Sequence, residues 1–480
     1  MRKNSLYNFL GAAACAVALA GCVTPGIVPR AASHAVPAAY PGAALAADST
    51  NPAQLRWKEF FTDPNLTALI DTALRNNQEL NIALQEIQIS KNEIQIRKGE
   101  YMPFLGVGVR SDVGRPGRYT LRGATEEQVN IREDHANPNP LANHQVGAFA
   151  SWEVDVWQRL RNARKAAALR YLASVEGRNF TVTNLIAEVA TSYYELLALD
   201  SQLAITRQNI EIQRNALELV KLQKESARVT ELAVQRFEAQ LHNTLSNQFT
   251  IQQQIVETEN RLNFLVGRYP QPMVRNDASF NALVPPLVRA GVPAQLLQNR
   301  PDIRQAEQRL LASNLDVQVA RAAFYPALRI TGSAGFEAFK PGLIFTTPQS
   351  LLFSAAGDLM APLINRNGIK SVYSSANAAQ VQTAYNYERT VLNAYVEVSN
   401  QLASLRNLGQ SYDEKARAVA ALNQSVAISN ILFRSARADY TEVLFTQRDA
   451  LEAKYELIEL KMKQLNAQVN VYRALGGGWN

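Results

Sequence analysis

Near the carboxyl end of the chain, apolar residues recur in alternating steps of four and three. The positions are Leu451, Tyr455, Ile458, Met462, Leu465, Val469 and Tyr472. A helix with this repeat of about 3.5 residues keeps one seam facing a partner helix, as in a left-handed coiled coil. Gly476-Gly477-Gly478 then marks a helix end. The pattern predicts a long return helix that begins just after Ser435-Ala436-Arg437.

A diluted copy of this stretch lies earlier in the chain. Ser226-Ala227-Arg228 precedes Ser435-Ala436-Arg437 by 209 residues, and Gly267 precedes the first glycine of the terminal run by the same interval. A second match, at an interval of 223 residues, pairs Tyr101-Met102-Pro103 with Phe324-Tyr325-Pro326. Two independent matches in the same order predict an internally duplicated chain.

Each half also contains two stretches in which apolar and polar residues alternate with the period of two that marks a β-strand. They lie at about 105–113 and 145–156 in the first half, and at 328–336 and 351–363 in the second. The apolar face of these stretches is nearly free of charges. The segment 115–143 is rich in Gly, Pro, Asn and charged residues and is predicted to be a loop.

Each strand pair is followed by a long helical pattern without proline, roughly Arg161 to Lys224 and Ile369 to Phe433. At 1.5 Å per residue, each would form a rod of about 90 to 100 Å. The rods are predicted to turn at the two Ser-Ala-Arg segments and to return as helical hairpins. Another amphipathic helix is predicted from Asn65 to Glu100.

The first 21 residues combine a basic start, a short apolar run and small residues, which is typical of a secretory signal and too short for a membrane-spanning helix. The rest of the chain is then predicted to divide into two repeats. In chain order the segments are a signal peptide at 1–21, an extended amino-terminal tether at 22–60, a first repeat at 61–267 (strand hairpin 103–157, helical hairpin 160–267), a linker at 268–293, and a second repeat at 294–480 (strand hairpin 326–363, helical hairpin 369–476).

The end of the signal, Leu19-Ala20-Gly21-Cys22, resembles the bacterial lipobox, in which the cysteine is lipidated and becomes the mature amino terminus. Cys22 is therefore the predicted lipidation site. Val23 stands where lipoproteins held at the inner membrane commonly have Asp, so the resemblance favours the outer membrane. The alternative is an ordinary cleaved signal in which Cys22 occurs by chance.

Composition narrows the classes of function. A hydrophobic content of 47% and a charged content of 19% indicate a folded chain with a sizeable core. The net charge of +7 is mild, and no block of like charges points to nucleic acid. Both cysteines fall in the first 22 residues, and the four histidines lack metal-ligand spacing, so neither a disulfide framework nor a metal site is expected. Without a P-loop or a His-Glu-x-x-His motif, the sequence predicts neither an enzyme nor a cofactor other than the lipid.

Strands with one apolar and one polar face suit the wall of a membrane barrel, with Trp152 and Trp157 as aromatic residues at the membrane interface. A soluble sheet with one buried face would show the same alternation. Four strands are too few to close a barrel, and an open sheet edge in lipid is costly. A membrane sheet of this size must therefore be completed by further copies of the chain, which would also bring the helical hairpins side by side.

The order of these elements resembles the TolC-like outer-membrane efflux protein family, and within it the lipoprotein branch of resistance-nodulation-division efflux systems, the NodT or OprM-like group. The most specific pieces are Asn299-Arg300-Pro301-Asp302-Ile303, Ala323-Phe324-Tyr325-Pro326, and Tyr440-Thr441-Glu442-Val443-Leu444 with Gln447-Arg448. The resemblance implies an α+β membrane protein, in which a homotrimer with four strands per chain forms a twelve-stranded outer-membrane barrel continued by an α-helical coiled-coil barrel in the periplasm. It also implies a passive exit duct for drugs or other toxic compounds, docked on a periplasmic adaptor and an inner-membrane pump.

In that family the gate lies at the periplasmic tip of the helical barrel, where acidic side chains ring the axis. The resemblance places Glu442 there, and the interval of 209 residues gives Ala233 as its counterpart in the first repeat. A ring of carboxylates would favour cations at a constriction. The simpler interpretation of Glu442 is a surface charge beside a heptad seam.

The two turns at the tip also depart from the family. Ala227 and Ala436 stand where relatives usually have Gly, so a different turn geometry is expected, because Gly reaches left-handed conformations more cheaply. Arg228 and Arg437 beside them are candidate contacts for the adaptor, or simply solvated charges at helix ends.

Two other functions stay open at this point. One is a duct for type I protein secretion, against which the lipobox weighs. The other is a periplasmic coiled-coil scaffold lipoprotein without a pore, which would have no use for four strands with charge-free faces.

Overall fold

The computed structural model describes residues 26–40, 55–133, 135–275, 280, 283, 292–362, 364, 366–435 and 437–479. These residues form two compact units. The sheet unit contains the described residues within 1–31, 89–171 and 308–384, and the helical unit contains those within 32–88, 172–307 and 385–480.

Helices make up most of the described chain. In order they are α1 (Trp57–Phe60), α2 (Pro64–Asn76), α3 (Gln78–Tyr101), α4 (Leu121–Gln128), α5 (Arg159–Glu225), α6 (Glu231–Val266), α7 (Leu296–Asn299), α8 (Pro301–Ala322), α9 (Asn367–Arg434) and α10 (Tyr440–Ala474), with 3₁₀ turns at Pro293–Gln295 and Pro341–Leu343. In this described part of the chain, no helix combines the length and the apolar character needed to cross a bilayer.

The sheet unit is built on four antiparallel strands in the order β1 (Phe104–Gly114), β2 (Leu141–Val154), β3 (Ala327–Ala338) and β4 (Leu351–Met360). Phe104 pairs with Ser151 in the first hairpin, and Ala327 pairs with Met360 in the second. These two pairs are equivalent under the sequence intervals of 223 and 209 residues. The duplication therefore extends to the strand register.

The connection from β1 to β2 differs from the prediction of a plain loop over 115–143. It contains α4, which begins after Thr120, whose Oγ1 accepts a hydrogen bond from the Gly123 amide at 3.1 Å. An ion pair between Arg122 and Glu126 spans one turn at 2.8 Å. Such a short helix is specified by its cap and one side-chain pair, not by apolar periodicity, so the pattern gave no sign of it.

The predicted helix from Asn65 to Glu100 is in fact broken at Asn77. The Oδ1 atom of Asn77 accepts a hydrogen bond from the Leu80 amide and caps α3, while its Nδ2 donates to the Leu265 carbonyl at the end of α6 at 2.9 Å. Both polar atoms of the Asn77 side chain therefore have a hydrogen-bond partner at the break. We call this buried contact between α2, α3 and α6 a joint.

The second repeat has the same joint with a different side chain. Arg300, which corresponds to Asn77 under the 223-residue interval, donates from Nη1 to the Ala474 carbonyl at 2.7 Å, and Ala474 corresponds to Leu265 under the 209-residue interval. Beside each joint a glycine with positive φ, Gly267 or Gly476, ends the return helix. The main core of the helical unit lies next to these joints and includes the apolar seam of α10.

Candidate functional site

The strand register places on one face of the sheet the apolar positions of the predicted alternation that lie within the strands. The predicted runs ended later than the strands do, since β2 ends at Val154 and β4 at Met360, and Leu363 lies outside the described residues. The side chains on this face are Leu105, Val107, Val109, Ser111 and Val113 of β1; Ala142, His144, Val146, Ala148, Ala150, Trp152 and Val154 of β2; Leu328, Ile330, Ala334, Phe336 and Ala338 of β3; and Leu351, Phe353, Ala355 and Leu359 of β4. Val107 is 89% exposed and Phe353 is 82% exposed. The two polar members, Ser111 and His144, share a hydrogen bond of 2.7 Å.

The opposite face of the same strands carries the charges: Arg110, Asp112, Glu153, Arg329, Glu337 and Asp358. One face thus carries no Asp, Glu, Lys or Arg side chain and the other is polar, which is the pattern of a strand between lipid and water. Strands β1 and β4 lie at the two ends of the strand order. In a membrane both edges need a strand partner.

Trp152 and Trp157 lie at the end of the sheet where α3 and α8 lead into the strands. Trp152 is half-buried and donates from Nε1 to the Tyr101 carbonyl at 3.1 Å. Trp157 is exposed, donates to the Pro326 carbonyl at 2.7 Å, and stacks on Tyr325 with a ring separation of 4.7 Å. Each indole joins an apolar ring to a satisfied polar atom, as interface aromatics do.

Glu442 is exposed in the first turn of α10. Asp439 caps this helix and accepts hydrogen bonds from the Tyr440 amide at 2.6 Å and from Thr441 Oγ1 at 2.9 Å. Two carboxylates therefore stand at one helix start, where the helix dipole favours negative charge.

The sequence interval gave Ala233 as the counterpart of Glu442 in the first repeat, but the pattern of buried residues gives a different one. Four buried positions near the start of α6 match four near the start of α10 at an interval of 210, not 209: Ala233, Val234, Phe237 and Leu241 against Val443, Leu444, Gln447 and Leu451. Glu442 then corresponds to Leu232, which is 57% exposed, and Ala233 lies in the core. The α6 helix presents no acid at that position under either alignment.

The turn between α5 and α6 retains a left-handed residue although it lacks glycine. Ala227 has φ +53°. Its amide donates to the Lys224 carbonyl at 2.8 Å, and the Arg228 amide donates to the Gln223 carbonyl at 2.9 Å, which together form a Schellman motif. Ala227 thus adopts the left-handed conformation that glycine reaches more cheaply, and the motif accepts the strain of an alanine.

The other tip residues are on the surface or outside the described chain. Arg228 and Arg437 are exposed. The Arg437 amide donates to the Leu432 carbonyl at 2.9 Å, which is the equivalent of the bond from the Arg228 amide to the Gln223 carbonyl. Lys224 at the end of α5 forms an ion pair with Glu231 at the start of α6 and lowers the pKa of the Glu231 carboxyl. Ala436 and Cys22 lie outside the described residues.

An amino-terminal strap, residues 26–40, lies along α9 and was not predicted beyond an extended tether. In the sheet unit, the Arg30 amide donates to Gln380 Oε1 at 2.9 Å, and Gln380 Nε2 donates to the Arg30 carbonyl at 2.8 Å. Gln380 is fully buried. Ile27 packs against a cluster containing Phe324 and Tyr373, close to the start of β3.

The profile of a known family, described as outer membrane efflux protein, matches residues 69–268 and 292–477. The chain belongs to the outer membrane efflux protein family. Among its relatives, the pyoverdine export outer membrane protein OpmQ of Pseudomonas putida is 29% identical over 463 residues, which cover 96% of each chain. The cation efflux system protein CusC of Escherichia coli is 27% identical over 426 residues, or 88% of each.

Solved structures agree with this outer membrane efflux protein fold. A membrane protein from Pseudomonas aeruginosa superposes with a TM-score of 0.84 at 25% identity, covering 94% of this chain and 99% of its own. The open state of the MtrE channel of Neisseria gonorrhoeae gives 0.82 at 23% identity, covering 95% and 98%. The predicted family, fold class and outer-membrane location are confirmed. The protein is the outer-membrane component of an efflux system, and its family is one of transport proteins and not of enzymes.

Proposed function

We propose that three copies of this chain form a passive exit duct for small toxic solutes, which receives them from an inner-membrane pump through a periplasmic adaptor. The observation that carries this proposal is the charge-free, exposed face of β1 to β4 opposite a charged face. A sheet of four strands with two edges needs neighbours in lipid, and three such sheets supply a closed barrel. OpmQ is named for the export of pyoverdine and CusC for the efflux of cations; both are small solutes, which favours this duct over one for protein secretion.

The experiment is a deletion of the gene, complemented by the wild-type gene or by a vector alone. A lipophilic fluorescent dye should be retained in deleted cells and exported again on complementation. Normal dye export in the deleted strain, together with loss of one secreted protein from the medium, would contradict the small-solute duct and support type I secretion.

We expect Cys22→Ala to abolish lipidation of the protein. Ile27 of the strap packs near the start of β3, and the four residues from Cys22 to Gly26 span at most about 14 Å. An acyl chain on Cys22 would thus enter the membrane beside the interface tryptophans. Metabolic labelling with an alkyne fatty acid should mark wild type and a Cys15→Ala control. Equal labelling of the Cys22 variant would refute the site.

We expect Glu442→Gln to lower the cation preference of the open channel at least twofold. In a trimer this change removes three charges from the tip, and a ring of like charges focuses the field on the axis. The measurement is the reversal potential across a planar bilayer under a salt gradient. Glu452→Gln, an exposed glutamate further along α10, is the control. Unchanged selectivity of the Glu442 variant would remove the gate role.

We also propose that Arg228 and Arg437 contact the adaptor, since both are exposed beside the turns that end α5 and α9. Charge reversal at both should weaken capture of the adaptor. An effect equal to that of reversing Arg417, which is exposed elsewhere on α9 and pairs with Glu414, would instead assign them to solvated helix ends.

A further inference from the structure

A cavity of about 240 Å³, partly open to solvent, lies among the four long helices of the helical unit, near the tip. Its walls are mostly apolar and include Leu219 and Val220 of α5, Phe237 of α6, Phe433 of α9 and Val443 of α10. Gln447 also lines it, seven residues after the first residue of α10 and so about 10 Å along the helix. The cavity is a space within one chain where both helical hairpins meet.

Gln447 is the unusual member of this lining. It is 6% exposed, and neither Nε2 nor Oε1 finds a hydrogen-bond partner among the residues that the structure describes. A buried amide without partners is unfavourable, because it has lost its bonds to water without replacing them. At the matching buried position α6 carries Phe237, which lines the same cavity. The second repeat thus has the polar amide of Gln447 at the position where the first repeat has the phenyl ring of Phe237.

The size and chemistry of the cavity define what fits it. An apolar cavity of about 150 Å³ accommodates benzene, so a volume of 240 Å³ leaves room for an aromatic ring and a polar substituent. The amide of Gln447 offers both a donor and an acceptor, and a carboxamide complements both. Asn215, Asn430 and Arg434 complete the polar part of the lining, and Arg434 disfavours a cation. A carboxylate could pair with Arg434, but it offers no donor to Gln447 Oε1 and would leave that buried oxygen without a partner.

We propose that this cavity binds a small uncharged aromatic carboxamide, whose ring lies against the apolar walls and whose amide pairs with Gln447. Such a ligand contacts all four helices. It therefore stabilises the packing of the α5–α6 hairpin against the α9–α10 hairpin near the tip. The binding site is a property of the folded chain and does not depend on the solute that the duct exports.

The test uses ¹⁹F NMR of 4-fluorobenzamide with the full-length purified protein in detergent. We expect saturable binding at one site per chain. Gln447→Leu keeps a similar volume and removes the amide, and it should weaken 4-fluorobenzamide binding at least tenfold while leaving fluorobenzene binding unchanged or stronger. Micelle partitioning is the same for both proteins, so the difference reports the site.

Ala216→Leu, which extends a lining side chain of α5 into the cavity, should remove saturable binding of both compounds. Circular dichroism confirms that each variant is folded, and Ala216→Val replaces Ala216→Leu if the larger side chain is not tolerated. Absence of saturable binding to the wild type would overturn the proposal and leave water as the partner of Gln447. Equal affinity of 4-fluorobenzamide for wild type and Gln447→Leu would overturn it as well.

Discussion

Gly476→Ala should destabilise the helical unit by about 3 kcal/mol, which combines the left-handed backbone penalty with an overpacking penalty. Gly476 has φ +90°, a conformation that alanine adopts only with strain. A Cβ atom there would lie 2.6 Å from the Asn299 carbonyl oxygen and 3.1 Å from Arg300 Cα. Both are backbone atoms, so no side chain can move to relieve the clash.

The measurement is the midpoint of thermal unfolding of the purified protein, followed by circular dichroism. Gly409→Ala is the matched control. Gly409 lies inside α9, its nearest non-local atom is Gln464 Nε2 at 3.9 Å, and the substitution should stabilise the protein by about 0.5 to 1 kcal/mol. A Gly476 variant that melts with the wild type would show that the joint does not need this close approach.

Arg300→Met should destabilise the protein by about 3 to 5 kcal/mol, because it removes the buried member of an ion cluster and leaves Asp302 and the Ala474 carbonyl without their bond to it. Arg300 is 6% exposed and binds Asp302 through Nε and Nη2 and Glu397 through Nη1 at 2.8 to 3.0 Å. Burial alone would lower the pKa of Arg300, but Asp302 and Glu397 outweigh it and raise that pKa. Arg473 Nη2 bonds the other oxygen of Glu397 at 2.8 Å.

Chemical unfolding in urea, followed by tryptophan fluorescence, measures this loss. Arg417→Ala removes an exposed arginine that pairs with Glu414, and it should change stability by at most about 0.5 kcal/mol. Equal effects of the two substitutions would contradict a buried ion cluster at Arg300. Because Gly476 and Arg300 share one joint, their double variant should lose less stability than the two single losses added together.

The sequence was sufficient for elements whose identity is local. The strands follow from an alternation that the register then reproduces, with Leu105 and Val107 on one face and Arg110 on the other. The long helices follow from proline-free periodic stretches. Both depend on residues within a few positions of one another.

Features that depend on distant contacts could not be predicted in this way. The break at Asn77 rests on a bond to Leu265, and the buried Gln380 rests on the strap at Arg30. The sequence motif around Arg300 indicated a family, but it did not show that the Arg300 side chain bonds Glu397 and the Ala474 carbonyl. The two Ser-Ala-Arg turns are 209 residues apart, but the buried positions of α6 and α10 match at an interval of 210. This shift of one residue is visible only in the structure, where burial can be compared.

Planar-bilayer recording of the purified full-length protein tests most directly whether this chain forms a water-filled duct through the outer membrane. Addition of the detergent-solubilised trimer should produce stepwise increases in conductance that grow in number with protein concentration. Protein that stays in solution without detergent and produces no conductance steps would contradict the duct and favour a scaffold without a pore.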